Sequence, residues 1–258
     1  MFTDNKIAII TSDDSLSAKA QELSWRLHLP LVSQNQSTHL FAFLLAVTPK
    51  RLELRENTIK RAKPIFVDFL APKIYYRTKY GGGKNQLIAK AIGVKNKKNL
   101  VVIDATAGFG IDAFILASLG CEVTMLERSP IIGALLKDGL ERLDNRNLKI
   151  DLKITQSIDY IDKIIKNALE KPDVIYLDPM YPKRSKSALN KRTMRILHEI
   201  VGDDADASKL LDLALKCAKN RVIVKRPKLA DYLLGKLKPN LQFFSSGSSR
   251  YDVYFPFL

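Results

Sequence analysis

Residues 100–127 read LVVIDATAGFGIDAFILASLGCEVTMLE, and the pattern of apolar residues changes several times within them. LVVID is a short branched apolar run of the kind that forms a buried strand, and CEVTML is a second. Between them, DATAGFGID holds two glycines that let the backbone turn tightly, and residues 111–119 carry a helical apolar pattern. Strand, glycine loop, helix, strand is the unit from which a parallel sheet with crossover helices is built. Working towards the C-terminus, LKIDLKI, DVIYLD and RVIVK add strand-like runs, with helical patterns over residues 131–143, 158–169 and 207–219. This alternation predicts an α/β fold, a doubly wound and mostly parallel sheet spread over residues 76–258. LQFFS facing YDVYF across SGSSR predicts a terminal antiparallel hairpin on the same sheet.

Working towards the N-terminus, the pattern is different. KIAIIT (residues 6–11) predicts a strand, residues 15–27 a helix, FAFLLAVTP with RLELRE a hairpin, and IFVDF one more short strand. Residues 1–75 are therefore expected to form a small N-terminal α/β domain. YRTKYGGGKNQLIAKAIGVKNKKN joins it to the main body through a glycine loop, a helix over residues 84–92 and a charged turn.

A chain of 258 residues with 46% hydrophobic content can bury a full core. Its 42 Lys and Arg exceed its 27 Asp and Glu, and the resulting charge of +15 favours polyanionic partners such as nucleic acid. The two cysteines, Cys121 and Cys217, lie in apolar segments without metal or disulfide spacing, which points to core packing in a reducing, cytoplasmic setting. MFTDNKIAII carries an acid and too short an apolar run for a signal peptide. No apolar stretch reaches the roughly 18 residues of a membrane span, so no membrane partner is expected.

Ligands of open α/β sheets sit beyond the carboxyl ends of the strands. In the first such loop, Gly108 and Gly110 allow close backbone approach, and Asp104 and Asp112 supply carboxylates. Counted from Gly108, the third position of a G-x-G-x-x-G pattern is Ala113, which only its relaxed form accepts. Glu127 ends the next strand, 17 residues beyond Gly110, where an acid can accept hydrogen bonds from both ribose hydroxyls of an adenosine. Nicotinamide enzymes and S-adenosylmethionine enzymes both use that arrangement. Arg128 either lies along the adenine or pairs outside, and TQSID places Ser157 and Asp159 where an adenine amine could be read.

The next loop reads LDPMYPKRSKSALNKR, residues 177–192. Asp178, Pro179, Met180 and Tyr181 resemble the Asp/Asn-Pro-Pro-Tyr motif of amino-methylating enzymes. An exocyclic amine on a nucleobase is a weak nucleophile because its lone pair is delocalised into the ring. Asp178 and the Pro179 carbonyl can each accept one N–H and so aim that lone pair, while the prolines stiffen the backbone and Tyr181 stacks on the base. Lys183, Arg184, Lys186, Lys191 and Arg192 follow without an intervening acid, which suits phosphate contacts beside such a pocket. VKRPK, residues 224–228, brings Lys225 and Arg226 to a neighbouring strand end, where RNA contact and a solvated strand end are both open readings.

DATAGFGIDAFILASLGCEV, MLERSP, YLDPMYPKRSKSAL and VIVKRPK, in this order, are similar to the RsmJ family of small-subunit (16S) ribosomal RNA (guanine-N2)-methyltransferases. LELR, IFVDF and KYGGGK extend the resemblance over about residues 50–235. It implies a Rossmann-like class I methyltransferase fold and S-adenosyl-L-methionine as cofactor. The implied substrate is the exocyclic amine of a guanine near the 3′ end of small-subunit RNA, presented as RNA or as the 30S subunit, with no protein partner. It further implies cofactor contacts from Ile111, Asp112, Glu127, Arg128, Ser157 and Asp178, RNA contact by Lys225 and Arg226, and a cleft bordered by residues 81–84. The family carries a basic residue where this chain has Ile111 and a small polar one where it has Ile158.

GGGKNQ is no phosphate loop, because Thr78 stands at its first glycine position and Asn85 at its Ser/Thr position. His28, His39 and His198 are scattered without ligand spacing, so no metal is expected. A non-catalytic RNA-binding or assembly factor would account for the charge but not for the cofactor loops. A nicotinamide oxidoreductase would account for Glu127 but not for Asp-Pro-Met-Tyr.

Overall fold

The computed structural model describes residues 6–33, 38–59, 61–94, 99–143, 147–180, 188–202, 204–245 and 247–256, with the side chains of 188–191 left aside. The chain divides into two compact units, Met1–Asp68 with Pro130–Asp144, and Phe69–Ser129 with Asn145–Leu258.

The smaller unit is built on a four-stranded sheet of order β2-β1-β3-β4, where β1 is Ile7–Thr11, β2 Leu31–Val32, β3 Phe43–Val47 and β4 Leu52–Glu56. β1 runs parallel to β2 and β3, and β3 and β4 form the expected hairpin. Helix α1, Ser17–Leu27, ends where His28 takes a left-handed conformation at φ 53°. Ala8, Ile10, Leu44 and Ala46 form an apolar cluster, as alternate residues of paired strands must when one face is covered. IFVDF departs from expectation. Ile65, Val67 and Phe69 are buried in alternation, but the segment forms a single bridge, Ile65 to Leu54, and no strand.

In the larger unit, helices α2 (Pro72–Tyr80) and α3 (Leu87–Ile92) precede a seven-stranded sheet. Its strands are β5 (Val101–Asp104), β6 (Glu122–Glu127), β7 (Ile150–Ile154), β8 (Val174–Leu177), β9 (Arg221–Pro227), β10 (Leu241–Phe244) and β11 (Ser249–Tyr254), in the order β10-β11-β9-β8-β5-β6-β7. β5 to β9 are mutually parallel, and β11 enters antiparallel between β9 and β10, so the predicted mostly parallel sheet with a terminal antiparallel hairpin is present. The strand order reverses at β5, which has β6 on one side and β8 on the other, so the loops after β5 and β8 open into the crevice at the switch point.

Helices α4 (Ile111–Ser118), α6 (Ser157–Lys166) and α8 (Ala207–Cys217) match the helical patterns, as does α5 (Pro130–Arg142), which groups with the smaller unit. α2 and α7 (Ala188–Val201) were not anticipated. Ile103, Ile175, Leu177, Val222 and Val224 pack with residues of α6 and α8 in one core. Cys121 and Cys217 are both free and buried. Among the described residues no helix is long and apolar enough to cross a membrane.

The two-residue period of a strand then decides the site. If Ile103, Ile175, Leu177 and Val224 face α6 and α8, their neighbours Asp104, Tyr176, Asp178 and Lys225 must project to the opposite face.

Candidate active site

The loop after β5 is clamped from three sides. Ala105 N–H donates to the Tyr176 carbonyl at 2.9 Å and Ala107 N–H to the Leu126 carbonyl at 3.1 Å, while the Ser157 hydroxyl donates to the Ala105 carbonyl at 2.6 Å. Gly108 and Gly110 take positive φ values of 54° and 70°, which only glycine adopts cheaply, and Gly110 caps α4. A Cβ on Gly108 would meet Leu197 and Thr106 at 4.0 Å, an ordinary van der Waals contact, so the positive φ rather than crowding is what calls for glycine there. Ile111, at the first turn of α4, is exposed.

Glu127 closes this loop from β6. Its Oε2 accepts Gly108 N–H at 3.0 Å and its Oε1 accepts Ser129 N–H at 2.7 Å. Burial pushes its carboxyl up to about 7, against the Ser129 and Gly108 donors that favour the charged form. The Arg128 guanidinium pairs with Asp204 at 2.7 Å and reaches Asp206 at 3.7 Å. Asp204 also accepts Met180 N–H at 2.5 Å, joining the ends of β6 and β8 through one side chain.

Behind the loop lies a line of charges. Arg77 of α2 pairs with Asp112 Oδ1 at 3.1 Å, and Asp112 Oδ2 accepts from Lys225 Nζ and from the Tyr176 hydroxyl, each at 2.8 Å. Lys225 Nζ also donates to Asp178 Oδ2 at 2.7 Å, and Asp178 N–H donates to the Thr106 hydroxyl at 2.6 Å. Burial works upward on Asp112, but Lys225 and Arg77 outweigh it and hold the carboxyl below its usual range. Burial also disfavours the Lys225 ammonium, and Asp178 and Asp112 reverse that, holding its pKa above the ordinary lysine range. Desolvation raises Asp178, with Lys225 opposing it, and raises the buried Asp104 to about 8. The carboxyls of Asp112 and Asp178 are thus met by two cations, Arg77 and Lys225.

Lys225 and Arg226 are thus placed differently from a pair of phosphate contacts. Lys225 is held between two carboxylates, and Arg226, 7% exposed, donates to the Asp231 carbonyl from Nε and Nη2 at 3.2 and 2.8 Å. Adjacent strand residues point to opposite faces, so the two could not share one cleft. Pro179 is buried, Asp178 keeps 40% side-chain exposure, and Arg192 lies in α7, half-buried. Tyr181, Lys183, Arg184, Lys186 and the side chain of Lys191 lie outside the described residues. Among the described residues no group of three or more His, Cys, Asp or Glu is arranged to hold a metal ion.

Sequence reading missed Thr106, Arg77, Tyr176, Asp204 and Tyr251, the last paired in register with Lys225. Tyr176 had a signal, since it stands two residues before Asp178 on the same strand face. Asp204 had a weaker one, as part of an acidic run that follows a basic tract. Arg77 had none, because its partner is remote in the chain.

Comparison with known proteins agrees with this architecture. A family model for S-adenosylmethionine (SAM)-dependent methyltransferases matches residues 24–256. A protein of Coxiella burnetii named ribosomal RNA small subunit methyltransferase J is 45% identical, with 96% of each chain covered. One of the same name from Tolumonas auensis is 42% identical, covering 96% of this chain and 97% of its own. A crystal structure of a SAM-dependent methyltransferase from Neisseria gonorrhoeae superposes with a TM-score of 0.72 at 34% identity, covering 97% of this chain and 96% of that one.

Proposed function

The chain belongs to the SAM-dependent methyltransferase family, together with the methyltransferases J of the small ribosomal subunit, and from that premise we propose that it methylates the exocyclic N2 amine of a guanine in small-subunit (16S) ribosomal RNA. Its cofactor is S-adenosyl-L-methionine, which sets aside the nicotinamide reading. The observation that carries the substrate reading is the fixed carboxylate of Asp178 at the end of β8, tied through its backbone to Thr106 in the glycine loop. An acceptor for an amine is thereby held beside the cofactor loop, as methyl transfer to that amine requires.

The residues present fit the cofactor. Gly108 and Gly110 leave the backbone approachable, Ile111 offers an exposed apolar surface, and Glu127 presents acceptors to ribose hydroxyls. Ser157 braces the loop through Ala105, Asp104 braces it through Thr106 N–H, and Arg128 and Asp112 act through the ion pairs that shape the cleft. Bound there, SAM supplies an electrophilic methyl group on a sulfonium. Asp178, its Oδ2 held by Lys225, turns Oδ1 to one N–H of the guanine amine, and the Pro179 carbonyl accepts the other. Tyr181 stacks on the base. Once the nitrogen is methylated, the adjacent carboxylate of Asp178, its affinity for protons raised by desolvation, takes the proton that the nitrogen sheds. The reaction belongs to the cytoplasm, where the small subunit is made.

The test is methylation of naked 16S RNA and of 30S subunits, both isolated from cells lacking the protein, with labelled SAM and mapping of the modified base. An N2-methylguanine on one of these substrates is expected. Label at another base or atom would overturn the assignment.

Glu127 ties cofactor binding to pH. Ribose hydroxyls favour the ionised carboxylate, so the SAM dissociation constant should rise as pH falls through 7, by up to about 10-fold per pH unit. Glu127→Gln should remove that dependence and weaken binding by about 1–3 kcal/mol. Calorimetry between about pH 6 and pH 8 reads both, and a pH-independent wild-type affinity would take Glu127 out of the site.

The basic tract makes the RNA contacts in this reading. Replacing Lys183, Arg184 and Lys186 by Ala should raise KM for RNA and reduce the salt slope of binding by about 0.7 per lost contact on single strands. An unchanged slope would show the tract to be ordinary solvated surface.

A further inference from the structure

Helix α2, Pro72–Tyr80, is an anomaly in the larger unit because none of its nine residues is buried. Burial of an apolar face normally holds so short a helix in place. Here it is fastened by polar contacts: Arg77 pairs with Asp112 at 3.1 Å, and the Arg77 carbonyl accepts Gln86 Nε2 at 3.3 Å. Three aromatic rings are left in solvent, with Tyr75, Tyr76 and Tyr80 exposed by 48%, 64% and 61%. Tyr76 and Tyr80, one helical turn apart, have ring centroids 5.3 Å apart at an interplanar angle of 40°. Lys79 Nζ lies among them, 5.3 Å from the Tyr75 centroid and 5.8 Å from that of Tyr80. No Asp or Glu occurs between Asp68 and Asp104.

We propose that the Tyr76–Tyr80 face of α2, with Lys79, is a stacking platform for single-stranded nucleotides flanking the target base, an inference that rests on the RNA-methylation reading above. Sequence-tolerant binding of single strands combines exposed aromatic rings with cations, because every base has a π-face and every link a phosphate. Tyrosine is enriched at protein interfaces as well, but lysine is depleted at their cores, and here Lys79 stands among the rings. The location is specific as well. Arg77 leads through Asp112 and Lys225 to Asp178, each step between 2.7 and 3.1 Å, so α2 is tied by three ion pairs to the amine acceptor. RNA that places a guanine at Asp178 has its neighbouring nucleotides within reach of α2.

The test is a Tyr76→Ala/Tyr80→Ala double variant beside Tyr76→Phe/Tyr80→Phe. The probes are a fluorescent single-stranded oligoribonucleotide spanning the methylated guanine, calorimetry with SAM, and sedimentation. The alanine variant should bind the oligonucleotide at least about 10-fold more weakly and show a matching rise in KM, with SAM affinity kept and kcat at saturating RNA little changed. The phenylalanine variant should behave as wild type, since the rings do the stacking. Alanine-variant binding equal to wild type, in a wild-type enzyme that binds and methylates RNA, overturns the platform and leaves the methylation reading intact. A wild-type dimer that the alanine variant dissolves overturns it in favour of a protein contact. Wild-type protein that neither binds nor methylates RNA overturns both.

Discussion

Replacing Asp178 by Ala is expected to slow single-turnover methyl transfer by about 100-fold or more, because the lost interaction is aimed at the reacting nitrogen and strengthens as charge develops there. The carboxylate is unusually well fixed. Lys225 holds one oxygen at 2.7 Å, and the Thr106 hydroxyl holds the backbone at 2.6 Å. An acceptor so placed spends little energy on reorganisation when the amine arrives. Asp178→Asn separates charge from shape, since it keeps an amide oxygen for the N–H but can neither neutralise Lys225 nor take a proton. It should fall between wild type and Asp178→Ala. RNA affinity should change by much less than the rate, since much of it comes from backbone contacts elsewhere. Rapid-quench kinetics with saturating SAM and RNA measure the effect, and an Asp178→Ala enzyme at the wild-type rate would end the proposed mechanism.

What the sequence disclosed of this site follows from the reach of local rules. The runs around residues 101–104, 122–127 and 174–177 read as strands because they are short and rich in branched residues, which settles what periodicity alone leaves open; 174–177 is buried throughout, and the other two over their C-terminal ends. Glycines at 108 and 110 marked the turn because their φ values are positive. IFVDF misled because alternating burial requires only that an extended segment lie against a core, not that it find a ladder partner. α7 escaped notice because a basic tract overlaps its start, although Ile196, Leu197 and Ile200 have helical spacing and are buried. α2 carries no apolar stripe to detect. Spacing alone leaves RNA contact and a solvated strand end both open for Lys225, whereas its strand face, shared with Tyr176 and Asp178, points to the carboxylates. Ion pairs that join α2, α4, β8 and β9 depend on the folded topology, and no spacing within one segment reports them.

Lys225→Met should leave the fold intact but shift the acid limb of the pH–rate profile. An opposite charge in contact lowers a carboxyl pKa by about 1–3 pH units, and among the described residues Lys225 is the cation that touches Asp178. Without it, desolvation and the negative charge of Asp112 act on Asp178 together, and both raise its pKa. Asp112 keeps Arg77 at 3.1 Å and stays charged, so the repulsion persists. The sign follows: a carboxyl with a raised pKa is protonated over more of the neutral range, where it accepts the amine N–H more weakly and cannot take the proton that the nitrogen sheds. The rate should therefore fall by about 10- to 100-fold near neutrality and recover as pH rises past the new pKa. Lys225→Arg retains the charge and should restore much of the profile. The cation lies in a partly solvated cluster, with side-chain exposures of 26% for Lys225 and 40% for Asp178, so the stability loss should be about 1–3 kcal/mol, below that of a fully buried pair. Arg226→Met is the control on the neighbouring residue. It removes two hydrogen bonds to the Asp231 carbonyl on the opposite face, so it should lower the melting temperature without moving the pH–rate profile. A Lys225→Met enzyme whose rate is reduced equally at every pH would show that the ammonium positions the cleft without tuning Asp178, and one with wild-type kinetics would remove Lys225 from the mechanism.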